Sequence, residues 1–317
     1  MELNPGFSYS PTPPVPTPTP QPTPVPAPPP GPNGSLGLLE GLVGTWSGTG
    51  LNIIWRPTQP SSGNDHFLDI NVTAETLEFE LIPGEIPNRG LLQPDLLMAG
   101  LRYLQQVSDS NLQSGLHVEP GVWLNVPTTS DPALLPTVAR LASVPHGTVL
   151  LAQGIASTRV AGGPLIPSAS ITPFSIGNPA APSAFPEQNL SNDSPTSRTA
   201  GLGLNGVTQA MLDNPNSVLV DAAADLQVAS TTVFQVSSDP GTPVLGGGLA
   251  NTAFLQGGSD GPNAVAALVT ATFWLQTTEG SPVPDLLQYT QTVLLNFNGI
   301  SWPHVSVGTL RPTPAAS

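Results

Sequence analysis

Apolar and polar residues alternate along most of the chain, and this pattern predicts a series of short strands. Residues 66–82 read HFLDINVTAETLEFELI, in which every second position is apolar over two stretches, as in strands with one buried face. The strongest runs of this kind cover 266–278 and 286–298. The pair Asn298-Gly299 follows the second run and predicts a two-residue hairpin leading into the last strand.

Weaker runs complete the series, and one short helix precedes them. Leu36, Leu39 and Leu42 recur at helical spacing behind Ser35, which is a suitable N-cap. Gly44 ends this helix before the first strand begins. Further strands are predicted at 45–55, 115–126, 137–144 and 147–156.

The spacing of these runs predicts an all-β fold. Many short strands separated by Pro and Gly turns, with no alternation of strand and helix, are typical of a closed antiparallel β-barrel. Segment 95–107 is helix-like, but it can equally be read as a strand from Leu101 onward. A small barrel of this type encloses one ligand, and alternate strand residues line that space.

Two segments differ in composition from the predicted barrel. Residues 11–32 contain 13 prolines, so residues 1–34 are predicted to form a disordered, extended arm. The arm is interpreted as a spacer, and the alternative is a docking strip for a protein partner. Residues 160–250 are rich in Pro, Gly, Ser and Asn and are predicted to be a long, loop-rich insertion in a single domain covering 35–317.

The charge and the cysteine content limit the kinds of partner and metal site that the protein can have. Only 9% of residues are charged, the seven basic residues are all arginine, and the net charge is −14. Nucleic acid and anionic membranes would be repelled. The chain has no cysteine, which excludes disulfides and thiolate metal sites. No apolar run is long enough for a membrane span and the start, MELNPGFSYSP, has no signal-peptide pattern, so a soluble, cytoplasmic protein is expected.

Four blocks carry a family resemblance: LLEGLVGTWSGTG at 38–50, LHVEPGVWLNV, VARLASVPHGTVLLAQG, and the closing LLQYTQTVLLNFNGISWPHVSVGTLRP. In this order they resemble the nitrobindin family, heme-binding barrels related in shape to fatty-acid-binding proteins. The match covers about 36–158 and 264–312. The chain departs from the family after the first block, where LNIIWRPTQPSS replaces a Tyr-Pro-Thr run, so the pocket wall differs there.

The resemblance implies that His304 is the axial ligand of heme b, the metal site of the protein. On its own terms, His304 shares one strand face with Trp302 and Ser306. An imidazole that points into an apolar barrel needs a hydrogen bond or a metal, and a satisfied core histidine is the alternative. Strand alternation near the matched blocks predicts further cofactor-lining residues, or else ordinary core: Trp46, Trp123, Tyr289, Phe297 and Trp302.

Other ionisable residues add secondary hypotheses. His117 and Glu119 would share a strand face, as a second metal site, a proton relay or a hydrogen-bonded pair at the barrel rim. His146, in a Pro-His-Gly turn, is interpreted as structural, and His66 as exposed. Heme propionates would reach solvent at the barrel mouth, where Arg56 and Arg89 are the candidate arginines.

The resemblance implies nitric oxide binding at ferrous heme and isomerisation of peroxynitrite, or a peroxidase-like activity, at ferric heme. A net charge of −14 would repel anionic peroxynitrite and leave neutral nitric oxide unaffected, so gas binding fits the charge better. Two alternatives stay open: a non-heme carrier of fatty or other apolar molecules, and a structural or assembly protein that forms oligomers.

Overall fold

The chain folds into a closed barrel of antiparallel strands, which confirms the predicted all-β class. The computed structural model describes residues 35–59, 64–157, 160–192, 196–241 and 243–313. The predicted arm, residues 1–34, lies outside the described residues.

The elements follow one another along the chain with few helices between them. The strands are β1 (Gly44–Pro57), β2 (His66–Leu81), β3 (Ile86–Asn88), β4 (Leu96–Asp109), β5 (Ser114–Val126), β6 (Thr129–Ser130), β7 (Ala133–Leu134), β8 (Thr137–Val144), β9 (Thr148–Ala156), β10 (Val160–Ala161), β11 (Phe174–Ser175), β12 (Val228–Ser237), β13 (Gly248–Asn251), β14 (Val265–Thr278), β15 (Leu286–Phe297) and β16 (Ile300–Pro312). The α-helices are α1 (Gln209–Asp213), α2 (Ser217–Ala223) and α3 (Ala253–Gln256), and 3₁₀ turns cover Gly37–Leu42, Pro186–Gln188 and Gly201–Leu204.

Ten of the described strands close the barrel in the order β12-β14-β15-β16-β1-β2-β4-β5-β8-β9, and β9 pairs again with β12. Every pairing in this ring is antiparallel. Four short strands pair beside strands of this ring, β3 with β4, β10 with β12, β11 with β16 and β13 with β9, and β6 pairs with β7 in a separate ribbon. Closure removes the free strand edges of an open sheet.

The closing strand β12 lies inside the range predicted as an insertion. It joins β9 on one side and β14 on the other, so the loop-rich sequence divides into a long part before Val228 and a shorter part after Ser237. The sequence shows this run as an apolar stretch at Val228–Val236, but its place in the Pro-, Gly-, Ser- and Asn-rich range gave no sign that it closes the barrel. Segment 95–107, ambiguous in sequence, belongs to strand β4.

One end of the barrel is closed by the predicted short helix, which is a 3₁₀ helix at Gly37–Leu42. Leu39 and Leu42 are fully buried and pack into the barrel core. The indole Nε1 of Trp46 donates to the Leu42 carbonyl at 2.8 Å, which ties the helix to the first strand. At the other end, Asn298 and Gly299 adopt positive φ angles of 50° and 75°, as the predicted tight hairpin requires.

The segment before β12 packs on the outside of the barrel and forms a second core. The outward residues Leu51, Ile53 and Trp55 of β1 are buried against it. The Trp55 indole donates to the Ile171 carbonyl at 2.7 Å, so the insertion is anchored by a buried hydrogen bond as well as by apolar contact. The residues that it contributes to this core are Ile171, Leu212 and Leu219, with Ile166, Phe185, Leu190 and Leu204 beside them.

Gly308 on β16 allows a close approach inside the barrel. A Cβ atom at this position would lie 2.5 Å from Cε1 of the Tyr289 ring and 3.1 Å from a carboxyl oxygen of Glu75. Both neighbours are buried, so they have little room to move away. The glycine therefore keeps space for the Tyr289 side chain.

We expect Gly308→Ala to lower the free energy of unfolding by about 1–3 kcal/mol through overpacking. Gly115→Ala is the matched control, because Gly115 also lies in a strand and an added Cβ there would meet nothing within 4 Å. Urea unfolding of both variants measures the difference. Equal midpoints for Gly308→Ala and the wild type would contradict this account of the glycine.

Candidate ligand site in the barrel lumen

A buried ion pair lies inside the barrel between two neighbouring strands. Arg140 on β8 and Glu119 on β5 are each 1% exposed, and their side chains meet at 2.5 Å between Nη2 and Oε1. The Tyr103 hydroxyl donates to Glu119 and accepts from Arg140 Nε at 2.9 Å. Arg140 Nη1 also donates to Gln291 Oε1 at 2.6 Å, so the network reaches the opposite wall.

The ion pair keeps both groups charged despite their burial. Burial by itself would raise the pKa of Glu119, but the Arg140 charge and hydrogen bonds from His117 and Tyr103 lower this pKa to about 2. Burial would likewise lower the pKa of Arg140, and the charge of Glu119 raises it instead. Burial raises the pKa of the Tyr103 hydroxyl well above 10, which keeps this donor protonated.

A second carboxyl group, Glu75 on β2, lies inside the barrel and makes no salt bridge with a described residue, although His117 also acts on it electrostatically. Its oxygens accept from the Tyr289 hydroxyl at 2.5 Å and from Thr73 Oγ1 at 2.8 Å, and Gln105 Nε2 donates to the Tyr289 hydroxyl at 3.0 Å. Burial raises the pKa of Glu75, although these hydrogen bonds act in the opposite direction. The two carboxyl groups in the barrel therefore have opposite pKa shifts.

His304 lies on the inner face of β16 in the half of the barrel away from the 3₁₀ helix. It is directly opposite Ile54 on β1 and Val293 on β15. Burial, and next the nearby positive charges of His117 and His146, lower its pKa to about 3, so the imidazole is neutral at physiological pH. Its side chain keeps partial exposure to the internal space and makes no hydrogen bond in the described part of the chain.

The same half of the barrel contains two further histidines. The rings of His117 and His146 stack with centroids 5.3 Å apart, and His117 Nε2 lies 3.3 Å from a Glu119 oxygen. Burial and the His117 charge lower the pKa of His146. Both residues line an open cavity of about 840 Å³ together with Glu75, but exposed residues such as Ser47 and Thr76 also line it and His304 does not. The structure therefore shows His117 and Glu119 as a hydrogen-bonded pair, which is one of the alternatives predicted from the sequence. The Glu119 side chain is buried, however, and does not lie at a solvent-exposed rim.

The predicted cofactor residues are divided between the two cores. Trp302 and Phe297 stack at 4.8 Å with an interplanar angle of 9° and belong to the second core with Trp55 and Phe185. The other three, Trp46, Trp123 and Tyr289, belong to the core inside the barrel. The structure therefore does not gather all five aromatic residues around His304, and their role in cofactor binding stays a prediction.

The two candidate propionate partners lie at opposite ends of the barrel. Arg56 lies two positions beyond Ile54 on the same strand face, at the open rim, and bonds Asp69 at 2.6 Å. Arg89 lies near the 3₁₀ end, beside the start of β4, and pairs with Asp95. His66, expected to be exposed, is instead enclosed by Trp55, Phe185 and Trp302, with ring centroids 4.8–5.5 Å away.

Sequence reasoning missed the residues that divide the lumen. Arg140 stands at an inward position of an otherwise apolar strand, and Glu75 holds the same kind of position in β2. A charged residue at an inward strand position was the available signal. The partners of Arg140 could not be identified from the sequence, because Glu119, Tyr103 and Gln291 come from three other strands.

Comparisons with known proteins place the fold only weakly. No protein-family model matches the chain, and no curated protein sequence matches it. The chain is similar in structure to Rv2717c from M. tuberculosis, with 12% identity and a TM-score of 0.40 over 87% of this chain and 94% of that chain. The class of protein is therefore defined by its own closed antiparallel barrel.

Two further observations limit the site. Within the ranges that the structure describes, no group of three His, Asp or Glu side chains is arranged to hold a metal ion. Over the same ranges, no helix is long and apolar enough to cross a membrane.

We expect Glu119→Gln and Glu75→Gln to change stability with opposite pH dependence. The folded pKa of Glu119, about 2, is below its ordinary value of 4.5, so its contribution is complete above pH 4.5 and is lost as pH falls towards 2. Glu119→Gln should cost about 3–5 kcal/mol at pH 7, since Arg140 is left buried and unpaired, and progressively less at lower pH.

Glu75 has a raised pKa, so its contribution is present below its unfolded pKa and is lost as pH rises through the folded value. Glu75→Gln should therefore match the wild type near pH 3 and be more stable than it at pH 7. Urea unfolding between pH 3 and 8 measures the free energy of unfolding of both variants. Each variant is the control for the other, because both replace one buried carboxyl group by an amide. Parallel pH curves for the two variants would refute the assignment of opposite shifts.

Proposed function

We propose that this protein is a ligand-binding barrel that binds heme b through His304. The barrel itself is compatible with an enclosed ligand. The observation that carries the finer proposal is the neutral imidazole of His304, which faces the lumen with no hydrogen-bond partner in the described chain. A neutral imidazole with a free lone pair is the donor that heme iron takes from histidine.

The surrounding residues fit this group in two further respects. Gln291, Val293 and Ser306 face inward near His304, yet each keeps partial exposure, so space adjoins the imidazole. Arg56 lies at the open rim, where a propionate would compete with Asp69 for the guanidinium. The third requirement, an acceptor that fixes the tautomer of the ligating histidine, has no candidate among the described contacts of His304.

Heme bound here would supply an iron centre for nitric oxide, or for peroxynitrite isomerisation and peroxidase-like chemistry. The chain's own contribution is to donate the His304 nitrogen, to keep that imidazole unprotonated by burial, and to line the space with groups held by hydrogen bonds. Arg140 is already neutralised by Glu119, so the lumen offers little attraction to an anion. Together with the net charge of −14, this favours neutral nitric oxide as the ligand.

A carrier of fatty or other apolar molecules is the less favoured alternative. The wall that such a ligand would contact includes His304, Ser306 and Gln291, and burying these polar groups against a hydrocarbon would leave them unpaired. Assembly through the proline-rich arm depends on residues 1–34, which lie outside the described chain.

Titration of the purified protein with hemin, followed by absorption spectroscopy, tests the proposal. We expect the Soret band of hemin to shift on binding to the wild type and to stay at the position of free hemin with His304→Ala, because the iron then lacks its axial nitrogen. His146→Ala is the matched control and should give the wild-type shift, since His146 is a more exposed histidine at the same end of the barrel. Free imidazole should restore the shift in His304→Ala by replacing the missing ring.

Circular dichroism of each variant separates loss of heme from loss of fold. If His304→Ala binds hemin with the wild-type spectrum, another residue ligates the iron and the assignment of His304 fails. If the folded wild type binds no hemin, the barrel encloses a different ligand.

A further inference from the structure

A row of polar side chains crosses the inner wall beside His304. Asn52 on β1 lies directly opposite Ser306 on β16, and Ser306 lies directly opposite Gln291 on β15. Residues paired in this way have Cβ atoms about 5 Å apart. His304 lies two positions before Ser306 on β16, on the same face of the strand. The four side chains therefore border one region of the lumen.

Asn52 is the most informative member of this row. It is only 5% exposed, and its Oδ1 atom is buried with no hydrogen-bond partner among the residues that the structure describes. Ser306 likewise makes no side-chain hydrogen bond with the described residues. Since buried amides are nearly always paired in folded proteins, an unpaired amide facing a lumen indicates a position where a ligand supplies the missing donor.

Gln291 has a defined orientation, because an arginine can only donate. Arg140 Nη1 donates to Gln291 Oε1 at 2.6 Å, so the Nε2 group of Gln291 is free to donate elsewhere. The row thus offers an acceptor at Asn52 Oδ1 and donors at Gln291 Nε2 and the Ser306 hydroxyl. No net charge accompanies them, since Arg140 is paired with Glu119.

We infer that this row is a binding site for a small neutral molecule that carries a hydrogen-bond donor and an acceptor side by side, such as a primary carboxamide. The N–H of the ligand donates to Asn52 Oδ1, and its carbonyl oxygen accepts from Ser306 and Gln291. Charged carboxylates are less favourable because Asn52 Oδ1, as oriented in the structure, would face a second acceptor, and hydrocarbons are less favourable because the row would stay unpaired. The site needs no heme.

Benzamide, benzoate and toluene added to the heme-free protein test this site, with binding followed by ligand-observed NMR. Wild type should bind benzamide at least tenfold more tightly than the other two probes. Asn52→Leu should weaken benzamide binding at least tenfold, and Ser306→Ala should weaken it less. Asn125→Leu, at the 3₁₀ end of the barrel where Asn125 bonds Ser35, is the matched control and should bind benzamide like the wild type.

The melting temperatures of the same variants are a second readout. A purely structural role of Asn52 predicts the opposite change in melting temperature from a ligand-binding role. Asn52→Leu should have an equal or higher melting temperature without ligand, because it removes an unpaired buried amide. A lower melting temperature together with wild-type benzamide binding would overturn the inference, as would equal binding of toluene and benzamide or no benzamide binding to the folded wild type. Because hemin is absent, these outcomes are independent of the heme proposal.

Discussion

The buried ion pair between Arg140 and Glu119 is the interaction on which the organisation of the lumen depends. It joins β5 to β8 directly, and reaches β4 through Tyr103 and β15 through Gln291. On one side of it lies an apolar core closed by the 3₁₀ helix, and on the other a polar space with three histidines. Loss of either charge would leave its partner unpaired in a poorly solvated interior, which is strongly unfavourable.

The second core explains why so long a loop-rich segment stays ordered. The outward faces of β1, β2 and β16 are apolar, so the barrel wall between them is buried on both sides. Such strands need a cover, and the segment before β12 supplies it. As a consequence, Trp302 packs on Phe185 of this cover, and Phe297 stacks on Trp302.

Several particular elements were predictable from the sequence. The alternating runs predicted β2, β14 and β15, and Asn298-Gly299 predicted the turn before β16, because period-two burial and positive φ angles are local properties. Strand β12 and the strand character of β4 were harder to predict, since their burial depends on neighbours distant in the chain. Among the candidate site residues, alternation placed His304 and Ser306 on one strand face and the family resemblance suggested that this face is inward, whereas the lack of a partner for His304 in the described chain required the other strands.

The sequence by itself determined the fold class, the short helix at the barrel end, the acidic and lysine-free surface, and the inward face of the last strand. Only the tertiary structure decided which buried charges pair, that Asn52 and His304 are left unpaired in the described chain, and that the aromatic residues divide between two cores. The reason is physical. Alternation and turn geometry are set by neighbouring residues, but desolvation and hydrogen-bond pairing depend on groups that strand pairing brings together from distant parts of the chain, 214 positions apart for Tyr289 and Glu75.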